Sequence, residues 1–279
     1  MCPTMRRSSL ICVASLAIWA GGCGGDTKPS RVDARVIADA ANKTSAAGTA
    51  HVSTSVTGLY RGHRLGLGTR TGVVDGKRRR GVLDFDFSFL APTHHGGPPP
   101  ESAKGTIVYY GDVVFAQTGA LYMRYASGKA WYELTRDKLL SPAGPGAGLS
   151  GLGTVDPTRP VDLLRAAHGD ARLLGSRRLG GVAVKGYATV IDFTRYLDMA
   201  LATHDPAFAH AARTFEQRLS ARNIPVEAWI AADGTIRRMR TTLGDGPLRL
   251  TFTTDLAGIG DPASVRRPDP DTVFDLRGR

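Results

Sequence analysis

The sequence predicts an α+β fold built on one large, curved antiparallel β-sheet of about eleven strands with few helices. Three observations carry this reading. Short segments repeat with a period of two. Glycine turns such as Asp75-Gly76, Asp233-Gly234 and Asp245-Gly246 join them, and glycine accepts the positive φ that tight hairpins need. Helical periods are few and do not alternate with strands, so there is no βαβ rhythm and no parallel sheet.

The elements follow in order. Residues 31–47 read as a helix, because Val32, Val36, Ile37, Ala40, Ala41 and Thr44 recur at helical spacing and Gly48 ends it. The period then changes to two. Ala50, Val52, Thr54 and Val56 share one side of a strand, with His51, Ser53, Ser55 and Thr57 on the other. A second strand runs over about 64–75. Its return strand sets Leu83, Phe85, Phe87 and Phe89 on one face against Asp84, Asp86 and Ser88. Prolines, which lack the ladder donor, make 91–103 a long loop. Strands resume near 105–110, 112–118, 120–126 and 129–134 as a meander. Residues 141–153 are low in complexity and expected to be mobile. Asp156-Pro157 opens a helix that Gly169 terminates. Strands at about 171–179 and 182–191 follow, then helices at about 193–203 and 206–221. The last of these carries Phe208, Ala212, Phe215 and Leu219 on one face. Strands at 225–232, 235–243 and 247–256 close the domain, and 258–279 shows no clear period.

The N-terminus carries an export signal. Arg6 and Arg7 form a positive n-region and Leu10 to Ala20 an apolar run too short to span a bilayer. Ala20-Gly21-Gly22-Cys23 then places small residues before a cysteine, an arrangement that resembles a bacterial lipobox, with Ala20 where Leu is usual. The organisation expected is a signal peptide over 1–22, a lipidated tether over 23–30 and one domain over 31–279. Cys23 would carry a diacylglyceryl group, with palmitate as an expected acyl chain. The alternative is an ordinary secretory signal cut nearby. Cys2 and Cys12 lie in the segment removed, so Cys23 alone remains and no internal disulfide is expected; the core must hold the domain. No second apolar stretch is long enough for a transmembrane helix.

The formal charge is +11, and loss of Arg6 and Arg7 lowers it by two. The basic residues are scattered, as Lys77 to Arg80, Arg177-Arg178, Arg237-Arg238 and Arg266-Arg267, without the interleaved aromatic residues of a stacking platform. No nucleic-acid partner is expected. For an exported chain, attraction to anionic headgroups or wall polymers fits better than nucleic acid, and the plainer alternative is a solvated surface from an Arg-rich genome.

Several segments resemble the LppX/LprG/LprA lipoproteins of actinobacterial envelopes, within the LolA-like superfamily. They are the lipobox at Cys23, KTSAAGTAHVSTSVTG (43–58), TGVVDGKRRRGVLDF (71–85), VYYGDVVFAQTGALYMRYASGKAWYEL (108–134), DPTRPVDLLRAA (156–167), IPVEAWIAADGTIRRMR (224–240) and DLAGIGDPASVRRPDPDTVFDL (255–276). The resemblance covers nearly the whole mature chain in order. It implies that the sheet is a half-barrel with helices covering its concave face and an acyl-chain cavity between sheet and helices. It also implies an anchored monomer that binds or transfers lipid or lipoglycan at the extracytoplasmic face of the cell membrane. The other reading it allows is a ligand-free interaction or sensor module that contacts an envelope protein, as RseB-type relatives do.

The cavity-lining candidates come from strand and helix faces that should meet: Val52, Val56, Leu83, Phe85, Phe87, Phe89, Leu121, Met123, Tyr125, Phe208, Phe215, Leu250 and Phe252. The same side chains would equally make a filled core. No catalytic residue, cofactor or metal is expected. His94-His95 lacks carboxylate or thiolate partners, and His204 and His210 lack i,i+4 spacing and a third ligand. Ser150 in Gly148-Leu149-Ser150-Gly151-Leu152 misses a nucleophile elbow. Asp84 and Asp86 read as an exposed charged face beside the 77–80 basic run. No phosphate-binding glycine loop opens a helix.

Overall fold

The computed structural model describes residues 30–86, 104–117, 128–140, 160–202, 213, 222–244 and 248–277. Its strands are β1 (Arg31–Asp33), β2 (Thr49–Tyr60), β3 (His63–Asp75), β4 (Arg80–Asp86), β5 (Lys104–Tyr110), β6 (Val113–Gln117), β7 (Trp131–Thr135), β8 (Asp170–Leu179), β9 (Val182–Asp192), β10 (Asn223–Ala231), β11 (Ile236–Leu243), β12 (Leu248–Ala257) and β13 (Val273–Asp275). The helices are α1 (Arg35–Ala47), α2 (Arg136–Leu140) and α3 (Phe193–Ala202), with 3-10 turns at Asp162–Ala166 and Pro270–Thr272. All the strands form one curved, unclosed sheet in the order β1-β8-β9-β10-β11-β12-β2-β3-β4-β5-β6-β7-β13. Two meanders, β8–β12 and β2–β7, thus meet at the β12–β2 pair.

The pairing explains the curvature. Neighbours run antiparallel except β13, which lies parallel to β7. Register shifts leave an extra residue at Leu67 of β3, opposite Val56/Thr57, at Leu174 of β8, opposite Tyr187/Gly186, and at Arg237 of β11, opposite Trp229/Ile230. Each such bulge bends its strand and increases local twist. Gly68 and Gly175, at two of these shifts, hold φ of 119° and 96°, which side chains disfavour.

Alternation places the core on one face. Val52, Thr54 and Val56 are buried, while His51, Ser53, Ser55 and Thr57 are exposed. In β4, Leu83 and Phe85 face inward and Asp84 outward. Helix α1 crosses the inner face and buries Ile37, Ala40, Ala41 and Thr44. The Thr44 hydroxyl donates to Ala40 O at 2.7 Å and accepts from Ile236 N at 2.9 Å, which ties α1 to the start of β11. Helix α3 buries Phe193, Tyr196, Leu197 and Ala200.

Three expectations need correction. The helix read over 31–47 starts at Arg35, after the short strand β1. The reason is local: the Asp33 carboxylate accepts Arg35 N at 2.8 Å, and this bond with the Arg35 guanidinium holds its pKa below the usual range. In the helix expected from Asp156-Pro157, the described part is a single 3-10 turn closed by Leu164 N to Val161 O at 3.0 Å. The C-terminal tail contributes β13, and Leu276 N donates to Glu133 O at 2.8 Å behind it. Strands of three residues are too short to show a period. The segment 120–126 and, apart from residue 213, the segment 206–221 lie outside the described residues. Among the described residues, no helix is long and apolar enough to cross a membrane.

Gly72 pairs with Val52 and Leu83 at the centre of the sheet. A Cβ there would fall within contact distance of the Val82 carbonyl oxygen, a backbone atom that cannot move aside. Gly72→Ala is therefore expected to destabilise by about 2 kcal/mol or more, read as a lowered midpoint of thermal unfolding.

Candidate functional site

The inner face divides into a packed centre and an open end. At the centre lie five of the side chains expected to line a cavity. Val52, Val56, Leu83, Phe85 and Phe252 belong to one continuous core, none more than 7% exposed, and Leu250 packs partly buried against it. Cross-strand register accounts for their meeting: Val56 faces Phe252, and Val52 faces Leu256. Cys23, Phe87, Phe89, Leu121, Met123, Tyr125, Phe208 and Phe215 lie outside the described residues.

A cavity of about 280 Å³ opens where α1 ends. Ala50, Val74 and Leu256 form its apolar floor. Thr44 and Ser45 of α1 make one wall, and Val161, Asp162 and Arg165 of the 3-10 turn make the other. Lys77 lies at the lip, its stem against Gly48: a Cβ on Gly48 would stand 2.9 Å from Lys77 Cδ. Gly48 has φ of 92°, so the chain can turn from α1 into β2 beneath that stem.

Hydrogen bonds fix the polar rim. Asp162 is 5% exposed. Its carboxylate accepts from Ser45 Oγ at 3.2 Å and stands 3.9 Å from the Arg165 guanidinium. Arg165 in turn donates to Asn42 Oδ1 at 2.8 Å. The site therefore combines an apolar floor with a rim that holds one buried carboxylate and two cations. The sequence pattern did not single out these residues: most come from a helix end and a 3-10 turn, which have no period.

Arg70 is a second feature that the pattern concealed. It pairs with Thr54 and Phe85, both on the inner face, so its guanidinium enters the core. Burial lowers its pKa to about 10, against a smaller opposing influence from Tyr109. Nearby, the Thr54 and Thr254 hydroxyls hydrogen-bond across the β2–β12 pair at 3.0 Å.

The outer face carries a different groove of about 520 Å³, where the β8–β9 turn overhangs the sheet. Leu179 and Val182 meet His51, Ser53, Val73 and the Arg238–Asp255 pair there. Arg238 donates to both Asp255 oxygens at 2.5 and 2.9 Å, and this raises the Arg238 pKa. Beside it, Arg177 lies 3.8 Å over the Trp229 ring. Asp84 and Asp86 make outward contacts, with the Thr106 hydroxyl at 2.7 Å and Lys104 at 3.2 Å. Among the described residues, no group of three or more His, Cys, Asp or Glu is placed to hold a metal.

No protein-family profile matches the chain, and no curated protein matches it. Solved structures do. LprF from Mycobacterium bovis is 12% identical, with a TM-score of 0.47 over 84% of this chain and 96% of that one. The lipoprotein LppX from Mycobacterium tuberculosis is 13% identical, with a TM-score of 0.48 over 84% and 97%. A LolA-superfamily protein from Nitrosomonas europaea is 10% identical, with a TM-score of 0.32 over 86% and 96%.

Burying the Arg70 charge opposes folding, so Arg70→Met is expected to hold or raise the thermal midpoint. The sign with pH follows from the lowered pKa. The disadvantage of the wild type is full below about pH 10, where both folded and unfolded states carry the proton. It shrinks as pH rises above about 10, because the unfolded chain then binds more protons than the folded one. Denaturant melts of both proteins across this range check it.

Proposed function

We propose that the chain is a lipid-anchored envelope protein that binds an acyl lipid or lipoglycan and passes it on, held at the extracytoplasmic face of the cell membrane through Cys23. The observation that carries this reading is the cavity between α1, the 3-10 turn and the sheet. Its floor is apolar and its rim supplies Lys77 and Arg165, a combination suited to an acyl chain with an anionic or hydroxylated head. The resemblance drawn from the sequence points the same way.

A second reading rests on a specific observation. The central inner-face side chains are packed together, and the larger groove lies on the outer face. That arrangement suits an interaction or sensor module that contacts another envelope protein and holds no lipid.

Mass spectrometry of lipids extracted from the protein purified from its own host separates the two. The lipid reading expects a bound acyl lipid, and Ala50→Leu should reduce it severalfold while keeping the fold, since the added methyl groups enter the cavity. A wild-type protein that carries no lipid and takes up no fluorescent fatty-acyl probe defeats the reading and leaves the interaction module.

Attachment has its own test. Each buried CH₂ contributes about 0.8 kcal/mol, so acyl chains on Cys23 outweigh surface arginines. Cys23→Ala should release the protein to the medium or leave an uncleaved precursor. Normal processing with retention on membranes in high salt would show that the anchor lies elsewhere.

A further inference from the structure

The β2–β3 hairpin ends in a tip that the core leaves uncovered. Its turn residues, Arg61 and Gly62, both hold positive φ, 47° and 86°, in the two-residue form that matches strand twist. Pairing of β3 with β4 ends at Thr69 opposite Asp86, so among the described residues the tip extends beyond that neighbour. Leu59, Tyr60 and Leu65 are 38%, 42% and 41% exposed. They are half of the large hydrophobic residues that stand exposed in the described structure, gathered within seven positions.

Cations surround them. Register sets Leu59 opposite Arg64 and Arg249 on one face, and Tyr60 opposite His63 on the other. Arg61 lies 5.3 Å from the centre of the Tyr60 ring. Residues 57–69 contain no carboxylate. Arg61, Arg64 and Arg249 form no ion pair among the described residues.

We propose that this tip docks on an anionic lipid bilayer, with Leu59, Tyr60 and Leu65 in the headgroup layer and Arg61, Arg64 and Arg249 against lipid phosphates. Tyrosine with an apolar body and polar tip, beside long cationic stems, is the chemistry that settles at a membrane interface. Arginines without carboxylate partners are drawn to an anionic leaflet. A folded protein partner fits less well, because a stable interface buries on the order of 1,000 Å² or more and the narrow end of the β12–β2–β3 strands offers little of that.

The test uses mature protein from its own host with vesicles containing brominated phospholipids. Leu65→Trp supplies a reporter at the tip and Val182→Trp one at the opposite end of the sheet, each read as the difference from wild type. The tip reporter should be quenched by vesicles of phosphatidylcholine with phosphatidylglycerol, and not by phosphatidylcholine alone, while the reporter at 182 stays unquenched in both. Arg61→Glu with Arg64→Glu should cut tip quenching about tenfold at low salt, with thermal unfolding unchanged because both side chains are exposed. Absent quenching, or equal quenching by neutral vesicles, overturns the proposal. A change in the tip reporter that grows with protein concentration without vesicles also overturns it and makes a second copy the occupant. Quenching by a protein that carries no lipid keeps this inference and defeats only the carrier reading.

Discussion

The pairing of β12 with β2 is the constraint on which the rest of the sheet depends. Ten registered residue pairs, from Leu248 opposite Tyr60 to Ala257 opposite His51, join the meander of the second half of the chain to that of the first. Without it the molecule is two unconnected ribbons with no common inner face. The seam is fastened at several levels. Val56 meets Phe252 and Val52 meets Leu256 within the core. The Thr54 and Thr254 hydroxyls satisfy each other where water is excluded, so two buried polar groups cost little. At one end, Gly260 N donates to Thr49 O at 2.9 Å and the Thr49 hydroxyl to Asp261 O at 2.6 Å, which holds the chain as it leaves β12.

The same seam sets where a ligand can lodge. At mid-sheet the rows from β2, β4 and β12 interlock, and α1 lies beside them against β10 and β11. Among the described residues, space opens past Leu256, where α1 has ended and the 3-10 turn forms the facing wall. Asp162 and Ser45 keep those two walls at a fixed separation through one hydrogen bond. Arg70 shows that the packed centre is not purely apolar.

Much of the architecture was legible in the sequence because period-two alternation is a direct image of a sheet with one buried face. Val52, Val56, Leu83, Phe85 and Phe252 all fall on the face that alternation assigned. The turns at Asp75-Gly76 and Asp233-Gly234 end strands where glycine said they would. What stayed hidden lacks a period. β1 and β13 are three residues each, and β1 was absorbed into the helix that follows because Val32 happens to fit helical spacing. Arg70 defeats a pattern that assigns charged side chains to solvent. The cavity is assembled from Ser45, Asp162 and Lys77, which neither spacing nor composition connects. Whether apolar side chains fill a volume or line one is a matter of shape, and periodicity has no information about it.

The two outer strands carry a further consequence. An unclosed sheet ends in rows of unpaired backbone donors and acceptors, and these invite another copy to add a strand. Here the terminal strands are β1 and β13, each three residues long, and both are dressed with charge. Arg31 pairs with Asp170 and Asp33 with Arg35 on one side. Arg277 bridges Asp275 and Glu133 on the other. Each is a short template, and beyond β1 the edge of β8 is broken by the extra residue at Leu174 and carries Arg177 and Arg178, so a visiting strand would have to desolvate charge along it. Such borders let many copies of an open sheet crowd together without zipping into fibrils.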